Sequence, residues 1–205
     1  LGTFLAALVI AVLASQTPRP LPADAPEAQF SAARAMADVR QSARAPHPVG
    51  SPEHARVEAY LDERLRALDL MTEVQTGPLP EASARRLERI GGDAQAGTEA
   101  GLRNLIGILP GSDRTLPAVL LMAHYDSTPR SPGAADDATG VAAILETVRA
   151  IKARGGEGGP VQRDIIVLLT DAEEINLDGA RLCIGSHPLA ARVGAVMNLA
   201  ARGGG

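Results

Sequence analysis

Aromatic residues are nearly absent from this 205-residue chain, which has two Phe, two Tyr and no Trp. A core built from it must therefore be aliphatic, and the stacking platforms on which single-stranded nucleic acids lie are excluded. Cysteine occurs once, at Cys183, so there is no internal disulfide and the thiol reads as a small core residue. Cations do not gather into a stripe: 20 Lys and Arg stand against 24 Asp and Glu, a formal net charge of -4. Nucleic acid, which demands clustered positive charge, is not an expected partner. The Gly-rich stretch from Gly155 to Pro160 lacks the Lys-Ser/Thr of a phosphate loop and reads as a surface loop. No internal repeat is present.

Charge is also missing from residues 1–18, where Leu5 to Ala14 is unbroken apolar sequence. A bilayer span needs about 20 such residues. The segment is expected to be a truncated transmembrane helix or, as the alternative, a signal-peptide core; either would place the catalytic domain on a periplasmic, extracellular or lumenal side of a membrane. Residues 19–27 are proline-rich and read as a linker, leaving residues 28–205 as the folded domain.

Within that domain, hydrophobic periodicity predicts a helix ending near Ala43 with Phe30, Ala33, Ala37 and Val39 on its buried side. A second helix starts at Ser51-Pro52-Glu53, an N-cap serine followed by a first-turn proline and an acid. It runs to about Leu68 and buries Val57, Leu61, Leu65 and Leu68. His54 in its first turn reads as bland, and His47 between two prolines as a loop residue. A strand is expected near 71–75, a helix at 81–90, and two strands at 102–109 and 118–123 joined as a hairpin. A helix at about 139–153, a buried strand at 164–170, a helix at 177–186 and a strand at 193–199 complete the pattern. The alternation implies an α/β three-layer sandwich with a mixed β-sheet.

What the chain does have is acids placed where strands end. The run Val119 to Ala123 leads into His124-Tyr-Asp126, and Asp164 to Thr170 leads into Asp171-Ala-Glu173-Glu174. In an extended chain residues two apart point the same way, so His124 and Asp126 can act together. A metal-binding imidazole commonly donates its other N–H to a carboxylate, and Asp126 is placed for that. Asp136-Asp137 follow in a Gly/Ala/Pro-rich loop before Gly140 opens a helix. Two adjacent acids after a strand diverge, so one of Glu173 and Glu174 can hold a cation while the other takes a proton from water. Taken singly, each is mundane: a core histidine, an N-cap aspartate, a solvated helix start.

Taken together, His124-Tyr-Asp126-Ser, Gly133-Ala-Ala-Asp136-Asp137-Ala-Thr-Gly140 and Asp171-Ala-Glu173-Glu174 resemble the zinc aminopeptidases of the bacterial leucyl aminopeptidase type. The likeness is strongest to their membrane-anchored branch, similar to the endoplasmic reticulum metallopeptidase, and extends from about Ala32 to Arg202. It implies a zinc-exopeptidase-like fold, peptide substrates and removal of N-terminal residues. It also implies two zinc ions per complete site, with His124 a ligand of one, Asp136 bridging both and Glu174 a ligand of the second. Asp126 orients His124, Glu173 is the general base, and a cis peptide joins Asp136 to Asp137.

Two departures touch zinc. Ala200 stands where the family pattern carries an acidic ligand, and the chain reaches Gly205 before the family's last histidine ligand; His187 falls too early to replace it. The chain is therefore expected to be an N-terminal fragment with an incomplete C-terminal part, to bind fewer than two zincs and to be inactive by itself. A glutaminyl cyclase with one zinc, and an ectodomain that keeps only the fold, are the alternatives. The sequence assigns no oligomeric state.

Overall fold

The computed structural model describes residues 2–14, 19–158 and 161–200. Its frame is a five-stranded mixed sheet in the order β1-β2-β4-β3-β5, formed by Met71–Gly77, Leu102–Leu109, Ala118–His124, Ile165–Thr170 and Val193–Asn198 as β1 to β5. Helices α1 to α8 are Gly2–Ala14, Ala32–Ser42, Pro52–Ala67, Glu81–Arg89, Ala94–Ala100, Thr139–Gly158, Glu173–Asn176 and Asp178–Ser186.

β4 sits at the centre and all six of its residues are buried, as a strand covered on both faces must be. Its side chains alternate. Ile165, Val167 and Leu169 join Val57, Leu61 and Leu65 of α3 and Ile144, Leu145 and Val148 of α6. Ile166 and Leu168 turn to the other face, towards Cys183 of α8. The three-layer sandwich and the aliphatic core are thus as the sequence implies, and Cys183 lies buried in it. Fully buried leucines such as Leu61 and Leu65 each contribute about 1.5–3 kcal/mol.

The expected hairpin between β2 and β3 does not form. β4 lies between them, antiparallel to β2 and parallel to β3. The connecting residues lean on the approach to β4 instead, with Ser112 N donating to Val161 O at 2.8 Å and Asp113 N to Gln162 O at 2.9 Å. β2 pairs antiparallel with β1 on its other side, with two short helices inserted between them. Sequence adjacency favoured the hairpin, but burying a strand as apolar as β4 on both faces and both edges favours the insertion.

This order positions the site. From β3 the chain crosses through α6 to β4 on one side, and from β4 through α8 to β5 on the other, with α6 and α8 on opposite faces. The loops leaving β3 and β4 therefore part at one edge, the place where open α/β sheets form their clefts.

The first helix differs from expectation in its stripe: Ala35, Asp38, Val39 and Ser42 are the buried residues of α2, and Phe30 is exposed. Burying Ala35 and Val39 against Ala138 and Ala142 sets that face. The linker is held rather than loose, since the Arg34 guanidinium donates to the carbonyls of Ala23, Ala25, Pro26 and Gln29. α1 is an apolar helix with Phe4, Leu5, Leu8 and Ile10 exposed. At 13 residues it is about 20 Å long, short of the hydrocarbon thickness; among the described residues no helix is long and apolar enough to cross a membrane. The rest of the expected span, residues 1 and 15–18, lies outside the described residues.

Candidate active site

All five sequence-predicted site residues come to the edge where β3 and β4 end. The parallel register sets His124 opposite Thr170, so the acids after Thr170 emerge beside the histidine. His124 is buried, and its Nδ1 lies 3.1 Å from the carbonyl oxygen of Asp126 and 3.4 Å from Asp126 Oδ1. With Nδ1 so committed, Nε2 turns into the cleft, 2.9 Å from Asp136 Oδ1 and 3.9 Å from Glu173 Oε2. The peptide between Asp136 and Asp137 is cis, as the resemblance implied.

Asp126 does more than face the imidazole. Its Oδ1 accepts the Glu173 N–H at 3.0 Å and its Oδ2 the Glu174 N–H at 3.2 Å. One buried carboxylate thus ties the histidine at the end of β3 to both acids after β4, and it caps the short helix α7 where free N–H groups would otherwise be unmet. Burial disfavours its charge, yet His124 and the Glu173 N–H hold its pKa below the usual carboxylate range. Replacing it with Ala is expected to lower metal affinity or activity about 10- to 100-fold, the usual effect of removing a group that orients a ligand. A chelator competition against zinc measures this. Unchanged affinity would show that the Asp126 carbonyl alone holds His124.

The turn carrying the acids is built by Asp171, which is buried. Ala172 adopts a left-handed conformation at φ 56°, sparsely populated for a residue with a Cβ. Asp171 Oδ1 accepts the Ala172 N–H at 2.8 Å and Asp171 Oδ2 accepts the Arg103 N–H at 3.0 Å. Behind it, Asn104 Oδ1 accepts the Asp171 N–H at 3.1 Å. Gly179 has to be glycine here, because a Cβ would collide with Asn104 Oδ1 and the Asp171 carbonyl.

Sequence reasoning missed His54. It is buried, its Nε2 is 2.9 Å from Asp171 Oδ1, and its ring stacks on Tyr125 with centroids 5.0 Å apart. Its place in the first turn of α3 gives no local sign of a partner 117 positions away. His47 is a loop residue, as expected, with Nδ1 against the Ala45 carbonyl at 2.9 Å. His187 lies away from the cluster, with Nε2 3.1 Å from Glu73 Oε1.

Electrostatically the cluster is short of cations. Among the described residues no Lys or Arg pairs with Asp136, Glu173 or Glu174. Burial raises the Glu174 pKa to about 7, helped by the charges of Asp126 and Asp136, and raises that of Glu173 as well. Burial opposes charge on His124, but Asp126, Asp136 and Glu173 outweigh it and lift the imidazole to about 10. One imidazole nitrogen and three carboxylates left without a basic partner are, in kind, the donor set of a divalent cation. Among the described residues no three His, Cys, Asp or Glu side chains already close around one point; His124 and Asp136 are the pair in contact. Ala200, exposed just beyond β5, adds no donor. Leu199 N–H still donates to Met122 O at 2.8 Å, so the parallel register carried on by two residues from Met122 and Asn198 sets Ala200 level with His124.

Known proteins with this architecture carry related chemistry in their names. The structure is similar to a zinc aminopeptidase from Bacillus subtilis, with a TM-score of 0.67 and 18% identity over 86% of this chain and 70% of that one. It is also similar to the Porphyromonas gingivalis glutaminyl cyclase, with a TM-score of 0.64 and 24% identity over 84% and 59%. At these identities the likeness concerns the fold. In sequence the chain is 33% identical over 168 residues to the vacuolar membrane protease of Candida dubliniensis, an alignment that takes in 82% of this chain and 17% of that protein. The chain therefore spans under a fifth of that relative's length. Residues 104–205, from within β2 onward and including every candidate site residue, match Peptidase family M28.

Proposed function

We propose that the protein hydrolyses peptide bonds as a zinc-dependent aminopeptidase, removing N-terminal residues from peptides. The observation that carries this reading is the convergence of the His124 Nε2 with the carboxylates of Asp136, Glu173 and Glu174 at one sheet edge, where among the described residues no Lys or Arg forms an ion pair with them. His124 and Asp136 would hold one zinc, and Asp136 and Glu174 a second. When bound, zinc supplies Lewis acidity to the scissile carbonyl and acidifies a water. Glu173 would take a proton from the attacking water as its oxygen bonds to the carbonyl carbon, and would return that proton to the leaving amine as the C–N bond breaks. Asp126 keeps the His124 imidazole in the tautomer with Nε2 free, and fixes the backbone of both glutamates. The name shared by the vacuolar membrane protease relatives supports association with a membrane, and the apolar α1 is the segment proposed to provide it.

A single-zinc glutaminyl cyclase is the second reading, supported by the TM-score of 0.64 to a protein named glutaminyl cyclase. Zinc content and two assays separate them. The peptidase reading expects more than one zinc per complete protein and release of free N-terminal residues. One zinc with conversion of N-terminal glutamine to a cyclic product would replace it, and no zinc with neither activity would leave only the fold. Thermal stability gives a further check. A carboxyl raised to about 7 in the folded state binds its proton more tightly there than when unfolded, so the metal-free protein should lose stability as pH rises from about 4.5 to about 7. Zinc, which binds the deprotonated ligands, should reverse that slope.

A further inference from the structure

Beside the acidic cluster the cleft becomes basic. A cavity of about 450 Å³ opens at Glu174, lined by Arg86, Arg89 and Ile90 from α4 and its end, and by Thr128, Pro129 and Arg130 from the loop after β3. Its volume is in the range of small-molecule sites. Arg86, Arg89 and Arg130 are exposed, and among the described residues none of them forms an ion pair, whereas their neighbour Arg85 is bonded to Glu81. α4 packs against α7, which carries Glu173 and Glu174. The charge of Arg86 reaches Glu173.

A lone surface arginine needs no explanation. Three that converge on one cleft, with a candidate zinc ligand in its wall, are different. Like charges around a cation site weaken that site, so positive charge here opposes zinc unless something negative joins it. The Glu174 carboxylate in the wall is itself the candidate zinc ligand, and among the described residues no Asp or Glu forms an ion pair with the three arginines. An arginine fork matches a carboxylate in shape and can bind it through two hydrogen bonds, and Ile90 and Pro129 offer apolar wall to the methylenes that carry one. We propose that this cleft binds a carboxylate of the peptide substrate, so that the protein selects acidic peptides. The proposal rests on the peptidase reading for its substrate. The carboxylate can come from an Asp or Glu side chain near the N-terminus, or from the C-terminus of a very short peptide.

The experiment compares four dipeptides, with Glu or Gln first and with the C-terminus free or amidated. Each is titrated by NMR into the metal-free protein and assayed for hydrolysis by the zinc-loaded complete protein. Both measurements are repeated in the triple variant Arg86→Gln/Arg89→Gln/Arg130→Gln. Exposed pairs are individually weak, so acid is expected to win over amide by about tenfold in affinity and in kcat/KM. The preference should shrink with added salt, and the ratio should fall towards one in the triple variant. Preference for Glu over Gln identifies the side chain, and preference for the free over the amidated C-terminus identifies the terminal carboxylate. Hydrolysis with no acid preference, or a preference that survives the triple variant, overturns the subsite and leaves the peptidase reading intact. Arginine-dependent binding of acid without any hydrolysis upholds the subsite and removes the peptidase reading.

Discussion

In the complete protein, Glu173→Gln is expected to keep its zinc and lose about 10²- to 10⁴-fold of turnover, the range that general-base catalysis supplies. The proposed reading gives Glu173 and Glu174 different duties although they are neighbours. Asp126 Oδ1 fixes the Glu173 backbone and Asp126 Oδ2 that of Glu174, so neither can be exchanged for the other by a small rotation of the chain. The Glu173 carboxylate stands 3.9 Å from His124 Nε2, farther off than that of Asp136 at 2.9 Å. Glu174 instead faces the arginine-lined cleft. Glutamine preserves the volume and removes the basicity, so metal content and turnover should separate. Zinc analysis alongside steady-state kinetics reads both. Loss of metal in Glu173→Gln, with metal kept in Glu174→Gln, would reverse the assignment.

The parts of the site that could be read in advance are those that lie close in sequence. His124 and Asp126 are two apart on one strand, Glu173 and Glu174 are adjacent, and strand periodicity sends them to one edge. Helices α3, α4 and α8 were legible for a similar reason: caps and apolar spacing are local signals. The failures are long-range. Nothing near β2 or β3 announces that β4 inserts between them, since strand order is decided by which apolar run must be covered on both sides. The double use of Asp126 was likewise hidden, because its bonds to Glu173 and Glu174 join β3 to a turn 47 and 48 residues later. The stripe of α2 was misjudged because Asp38 is buried there. A hydrophobic template reads an acid as outward-facing, whereas the Arg64 Nε that reaches Asp38 Oδ1 at 2.8 Å lies on a different helix.

His54→Ala is expected to cost about 3–5 kcal/mol of stability, the usual effect of removing one member of a buried ion pair. Asp171 would remain in a fully buried position with only N–H donors for company, and it is the residue that holds the left-handed turn at Ala172. Burial alone would keep His54 neutral, but the Asp171 carboxylate outweighs it and raises the imidazole pKa. For a group whose folded pKa lies above its unfolded value of about 6.5, the stabilisation is complete below that value and is lost as pH rises through the folded pKa. The gap in urea midpoint between the protein and its His54→Ala variant should therefore be widest below about pH 6.5 and narrow on the alkaline side. A gap that stayed constant with pH would show that His54 serves through its packing on Tyr125 and not through its charge. Pairing His54→Leu with Asp171→Asn provides the control, since removing both charges costs less than stranding one. An asparagine oxygen can still accept the Ala172 N–H. That double variant should recover a large part of the lost stability, and if it were no better than His54→Ala alone, the ion pair would not be what supports the turn beneath Glu173 and Glu174.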